Sequence, residues 1–160
     1  LASKFALDLG LDSSAVIIGL LLVQFIAFTS TLMWSFVGEK YGDKIVIYFS
    51  IIIYIEIIIY SIFLSDATEF YILASLVGLV QGGIQGSSRC LFAKLIPAEK
   101  AGEFFGIFNT FGKAGAFMGP ALVALVLGIS NSVTISLLPV LALFVLGFII
   151  LYFVDTNEIT

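Results

Sequence analysis

The sequence predicts an all-α membrane protein, a helical bundle with five complete spans and the end of a sixth. Three observations carry that prediction. Hydrophobic residues fill 61% of the 160 positions and charged ones 11%, against about 45–50% and about 25% in a soluble domain. Mean hydropathy is +1.19. The apolar residues are also gathered into long runs, and crossing about 30 Å of hydrocarbon takes about 20 residues at about 1.5 Å per residue of helix.

Taken in order, LASKFALDLGLD at 1–12 is too short and too charged to cross a bilayer alone. It reads as the end of a helix that begins elsewhere, so the chain is expected to be a fragment. Spans are then expected at 15–37, 45–64, 70–93, 104–129 and 133–154, within a single transmembrane domain over 1–160. The stretch IIIYIEIII in the second favours strand by propensity. An isolated strand would leave backbone groups unpaired in lipid, so helix is predicted there as well.

Orientation follows from the short loops. VGEKYGDK carries Lys40 and Lys44, and KLIPAEKAGE carries Lys94 and Lys100, while the opposite side holds Asp8, Asp12, Asp66 and Glu69. Basic loops stay cytoplasmic, which puts the Glu39 and Pro97 loops and the carboxy terminus inside. Lys4 alone dissents. Trp34, Tyr48 and Tyr152 then fall near the inner boundary and Tyr60 and Tyr71 near the outer one, as interfacial belts require.

Composition also excludes partners. A net charge of −4 lacks the clustered basic surface that nucleic acid needs. Without histidine and with the single Cys90, the chain offers no zinc or haem ligand set and no intrachain disulfide. No cofactor is expected. Intramembrane enzymology finds few acid–base candidates, because no span pairs carboxylates at useful spacing.

Polar residues at membrane depth are the informative feature. Gln24, Glu56, Gln81 and Lys113 each fall near the middle of a different span. A charge at the bilayer centre costs on the order of 2.5–3.5 kcal/mol, so Glu56 and Lys113 are expected to face protein or water. Each has a plain alternative as a hydrogen-bonded pair that glues helices together. Gly106, Asn109, Lys113 and Pro120 share a sector of about 60° on their helix, giving a small cationic stripe suited to binding an anionic group or to coupling. Pro120 removes a backbone donor and is expected to loosen the ladder near Ala116. Gln81, Gln85 and Arg89 form a second stripe at i, i+4 and i+8, with Ser88 beside it. Arg89 either snorkels to the headgroups, pairs with an acid such as Glu103, or lines the inner mouth. Gly78, Gly82 and Gly86 repeat every fourth position, the spacing that lets helix backbones approach closely.

At these residues the sequence resembles the vacuole effluxer family of autophagy-type permeases and their bacterial relatives, a branch of the major facilitator superfamily. GGIQGSSRCLFAKLIP is similar to that family's glycine-glycine-x-glutamine-x-x-serine-arginine stretch with its leucine-isoleucine-proline loop. It departs at Gly86, Ser87 and Cys90 from the commoner alanine, leucine and serine. EFFGIFNTFGKAGAFMGP, Glu103 to Pro120, resembles the block that starts glutamate-phenylalanine-phenylalanine-glycine, centres on glycine-lysine and finishes glycine-proline, here Gly119 and Pro120. SFVGEKYGDK is a degraded likeness of the superfamily's cytoplasmic loop motif. Glu39, Lys40, Gly42 and Lys44 keep its character, while Ser35 and Asp43 depart from it.

The resemblance implies the carboxy-terminal half of a major facilitator fold, whose partner is the amino-terminal half of the same transporter, embedded in the lipid bilayer of a bacterial inner or vacuolar membrane. Such halves hold a small solute at the midplane. It places the Gln24, Gln81 and Lys113 helices on the cavity side and the Glu56 and Pro139 helices at the periphery. Yeast members are associated with amino-acid export from the vacuole. The expectation is therefore a secondary transporter half working by alternating access. The alternative is a membrane scaffold or assembly subunit whose glycine faces dock other proteins.

Overall fold

A computed structural model describes residues 13–63 and 67–154. The helix end expected at 1–12, with Lys4, Asp8 and Asp12, lies outside the described residues, as do Leu64 and Asp66. The described residues form helices joined by short turns: α1 (Ser13–Tyr41), α2 (Asp43–Ser61), α3 (Ala67–Leu95), a 3₁₀ turn (Ala98–Lys100), α4 (Ala101–Ser130), α5 (Val133–Ser136) and α6 (Leu138–Phe153). The isoleucine-rich stretch is helical throughout α2.

Among the described residues four stretches are long and apolar enough to cross a membrane: Val16–Tyr41, Asp43–Ser61, Thr68–Leu95 and Ala98–Ser130. The stretch expected as a span at 133–154 comprises α5 and α6 in succession. Pro139 has no amide hydrogen to donate to Ile135, so one ladder bond is missing, while Leu137 between the two helices keeps right-handed helical dihedrals (φ −81°, ψ −20°). The last apolar helix by itself is only 16 residues long, short of the roughly 20 a perpendicular crossing needs.

Each turn has a local cause. Gly42 adopts φ 95°, a backbone conformation open mainly to glycine. Its amide donates to the Gly38 carbonyl at 2.9 Å, closing α1. Asp43 then sits in the first turn of α2, where a carboxylate complements the helix dipole. Pro97 ends the run of α3 in an extended conformation. Asn131, left-handed at φ 53°, closes α4 with its amide on the Leu127 carbonyl at 2.9 Å. α4 itself runs unbroken through Pro120.

The chain packs as two compact units divided after Arg89, within α3. In the first, α1 packs on α2, and α3 packs on both. Its aliphatic face, Leu73, Val77 and Val80, meets Ile53, Tyr54 and Ile57 of α2. Its glycine face meets α1, as described below. In the second, α4 packs against α5 and α6, and Phe92 stacks on Phe108 (4.6 Å) and meets Phe105 edge-on (5.4 Å), tying the end of α3 to the start of α4. Within helices, hydroxyls bond the carbonyl one turn back, as Thr29 does to Phe25 (3.1 Å) and Thr110 to Gly106 (2.9 Å). That satisfies them where no water is at hand.

Candidate functional site

The first unit is organised by what α3 shows to its neighbours. A Cβ on Gly78 would come within 2.7 Å of the Val23 carbonyl, and one on Gly82 would collide with Ser30 Oγ and the Ala27 carbonyl. These positions let α1 and α3 lie backbone to backbone. Gly86 is looser, its Cβ position 3.4 Å from Thr31 Cγ2. Gly83, which the every-fourth-residue pattern omits, carries as much of the seam as either: a Cβ there would lie 2.8 Å from Trp34 Cδ1. The signal was present as the adjacent pair Gly82-Gly83.

Two side chains of α1 cross that seam to backbone carbonyls of α3. The Ser30 hydroxyl shares its one proton between the Ala27 carbonyl of its own helix (3.1 Å) and the Gly78 carbonyl of α3 (3.3 Å), and Trp34 Nε1 donates to Leu79 at 2.9 Å. The Trp34 indole, expected in an interfacial belt, is thus committed to a helix seam.

Around the axis of α3, Gln81 and Gln85 occupy the arc between the glycine face and the aliphatic face, about 100° and 60° from Gly82 by helix geometry. Gln81 is half-buried and Gln85 exposed, as is Arg89 at the end of the unit. On α1, Gln24 is exposed among exposed Leu20, Leu21 and Phe28. Glu56 of α2 is exposed beside Ile52, Ile59 and Tyr60, with no polar face around it.

At the loop end, Glu39 and Lys40 are exposed, and Gly42 and Lys44 half-buried. The two lysines lie over tyrosine rings, Lys40 Nζ 5.2 Å from the Tyr41 centroid and Lys44 Nζ 6.0 Å from that of Tyr48. Asp43, only 6% exposed, is the buried member of this loop. Its Oδ1 lies 2.7 Å from where a Gly38 Cβ would stand, with Ser87 Oγ near the same point. Among its described residues this unit buries the polar Ser30, Asp43, Ser50 and Ser87. Sequence reasoning gave none of the four a structural role: the three serines scarcely disturb hydropathy, and Asp43 stood out only as a departure from the loop motif.

In the second unit α4 is open along most of its length, with Val123 its buried residue. Gly106, Asn109, Lys113 and Pro120 are all exposed, and Glu103 is exposed in the first turn. No side chain stands within 4 Å of the Cβ positions of Gly106 and Gly119. Lys113 lies roughly 18 Å along the axis from Ala101, deep in the apolar stretch. It has Asn109 one turn before it and Phe117, 77% exposed, one turn after. The stripe can present an ammonium and a carboxamide together to a carboxylate or a polar solute.

Among the described residues no group of histidine, cysteine, aspartate and glutamate has the makings of a metal site, and Cys90 is an exposed thiol.

The chain is similar in sequence to known proteins along nearly its whole length. The model of the family described as vacuole effluxer Atg22 like matches residues 2–159. An MFS-type transporter of Bacillus subtilis, YxiO, itself uncharacterised, is 37% identical over 160 residues, which is all of this chain and 37% of that protein. Autophagy-related protein 22 of Vanderwaltozyma polyspora is 28% identical over 134 residues, covering 77% of this chain and 26% of its own length. The same-named protein of Eremothecium gossypii is 39% identical over 66 residues, covering 41% and 13%. The chain thus spans well under half the length of these relatives. No solved structure matches it.

Proposed function

Because this chain belongs to the Atg22-like vacuole effluxer family, a family of membrane transporters and not of enzymes, we propose that it is the carboxy-terminal half of a secondary transporter of major facilitator type. It moves a small polar solute, an amino acid or similar, by alternating access together with an amino-terminal half. Lys113 and Asn109 bind the anionic end of the solute. Gln24, Gln81 and Gln85 border its path, and the Glu39–Lys44 loop with Arg89 and Glu103 marks the cytoplasmic gate. α5 and α6 together make the fifth crossing, the missing ladder bond at Pro139 notwithstanding.

One observation carries the reading: an exposed lysine stands in the middle of an apolar helix with an exposed asparagine on the same face. In hydrocarbon that lysine costs on the order of 2.5–3.5 kcal/mol, so its face belongs against water or solute. The scaffold alternative would have to dock through the open glycines of α4, because Gly78, Gly82 and Gly83 are spent on α1 of the same chain.

The test is uptake and efflux of radiolabelled amino acids by vesicles containing the whole protein. Lys113→Ala is expected to lower transport about tenfold or more, as loss of a charged hydrogen-bond partner would. Gln81→Ala is expected to have a smaller effect, and Lys113→Arg to distinguish a need for charge from a need for a compact ammonium. Normal transport by both alanine variants would refute the assignment.

A further inference from the structure

The geometry points to Ser30 and Trp34 of α1 as positioning residues that set the rotation of α3 about its own axis and thereby keep Gln81 and Gln85 on the solute side. The inference rests on the reading of those glutamines given above and adds the device that holds them.

α3 presents four arcs. Gly78 and Gly82 meet α1, and Leu73, Val77 and Val80 meet α2. Gln81, Gln85 and Ser88 lie on one arc between these faces, and Ile72 and Leu76, both exposed, on the other. A turn of the helix by about 100° would bring Gln81 to the position of Gly82. The glycine seam opposes such a turn sterically, since a Cβ at the Gly82 position would meet Ser30 Oγ and the Ala27 carbonyl, but it sets no hydrogen-bond direction. Directional hydrogen bonds resist it well.

The carbonyls that Ser30 and Trp34 reach belong to consecutive residues, Gly78 (3.3 Å) and Leu79 (2.9 Å). Successive carbonyls point about 100° apart around a helix, so two donors fixed to one neighbouring helix define both the azimuth and the height of α3. In α-helical bonding these carbonyls accept from Gly82 and Gly83, and it is the missing side chains of those two glycines that let the donors in. A Cβ on Gly82 would strike Ser30 Oγ, and one on Gly83 would stand 2.8 Å from the indole. Donors and glycines therefore form one device. In hydrocarbon the donors find no water to exchange for these carbonyls.

The experiment uses the whole protein with Cys90→Ser and any other cysteine likewise replaced, carrying one cysteine at a time through Gln81→Cys, Gln85→Cys or Ile72→Cys. The rate of modification by a membrane-impermeant methanethiosulfonate is measured in sealed vesicles. In the native background the cysteines at 81 and 85 are expected to react and that at 72 to remain protected in lipid. Combining Ser30→Ala with Trp34→Phe, which keeps an aromatic ring but removes the N–H, is expected to slow positions 81 and 85 by about fivefold, the order of one net hydrogen bond, while position 72, which the same turn carries toward the α2 face, stays protected. A pure packing role for Trp34 predicts no change with phenylalanine. Reactive cysteines at 81 and 85 whose rates the double variant leaves untouched would overturn the positioning role. Unreactive cysteines at 81 and 85 in the native background would instead overturn the wet-face reading, and the inference with it. Should the double variant not purify as a single species, Ser30→Ala alone is read in the same way.

Discussion

Glycines of this chain divide by what a methyl group would meet, and that decides how each tolerates substitution. Gly82→Ala drives a Cβ into Ser30 Oγ and the Ala27 carbonyl of α1, so overpacking is expected to cost about 1–3 kcal/mol. Gly115→Ala meets nothing within 4 Å and gains about 1 kcal/mol of helix propensity. Thermal unfolding of the purified protein in detergent is expected to show a lowered Tm for the first and an unchanged or raised Tm for the second; equal shifts would contradict the seam. Ser50 offers the converse case. Its hydroxyl is fully buried and has no hydrogen-bond partner, so an unmet desolvation cost is built into α2. Ser50→Ala is expected to raise stability by about 1 kcal/mol in the same assay. A loss would mean that the hydroxyl is served by a group or water that the bundle admits.

At the scale of elements, the interruption between α5 and α6 has one cause and one remedy. Pro139 cannot donate to the Ile135 carbonyl, while Ser136 and Leu141 do close their bonds, to Ser132 and Leu137, at 3.1 Å each. Pro139→Ala restores the missing donor, and hydrogen exchange followed by mass spectrometry is expected to show slower exchange over the peptide containing Leu137 to Leu141. Unaltered exchange would place the cause of the break elsewhere. The α1–α2 turn behaves differently, because Gly42 at φ 95° has no donor problem to repair and an alanine there would be strained at roughly 1–2 kcal/mol. Helix existence was legible in the sequence for all these elements, since hydrocarbon admits no other backbone for an isolated span. The gap in the ladder at Pro139 was not, because hydropathy is blind to one missing amide.

For the whole molecule, the basic loops predict that Lys40, Lys44, Lys94 and Lys100 face the cytoplasm with the carboxy terminus. A reporter fused after Val154 is expected to be active only in the cytoplasm, and an impermeant label placed at Phe63 to react only from outside; the reverse pair would invert the proposed topology. The sequence by itself determined the class, the runs that become helices, the loop charges and the spacing of the Asn109–Lys113 and Gln81–Gln85 stripes, because hydropathy and a period of 3.6 residues are properties of a single strand of chain. The tertiary structure alone decided how those helices are used. It spent Gly83 and Trp34 on the α1–α3 seam, buried Ser30, Asp43, Ser50 and Ser87, and left Gln24, Glu56 and Lys113 exposed. The physical reason is that a helix offers several faces of similar polarity, and which of them a neighbour covers depends on close approach and hydrogen-bond direction in three dimensions.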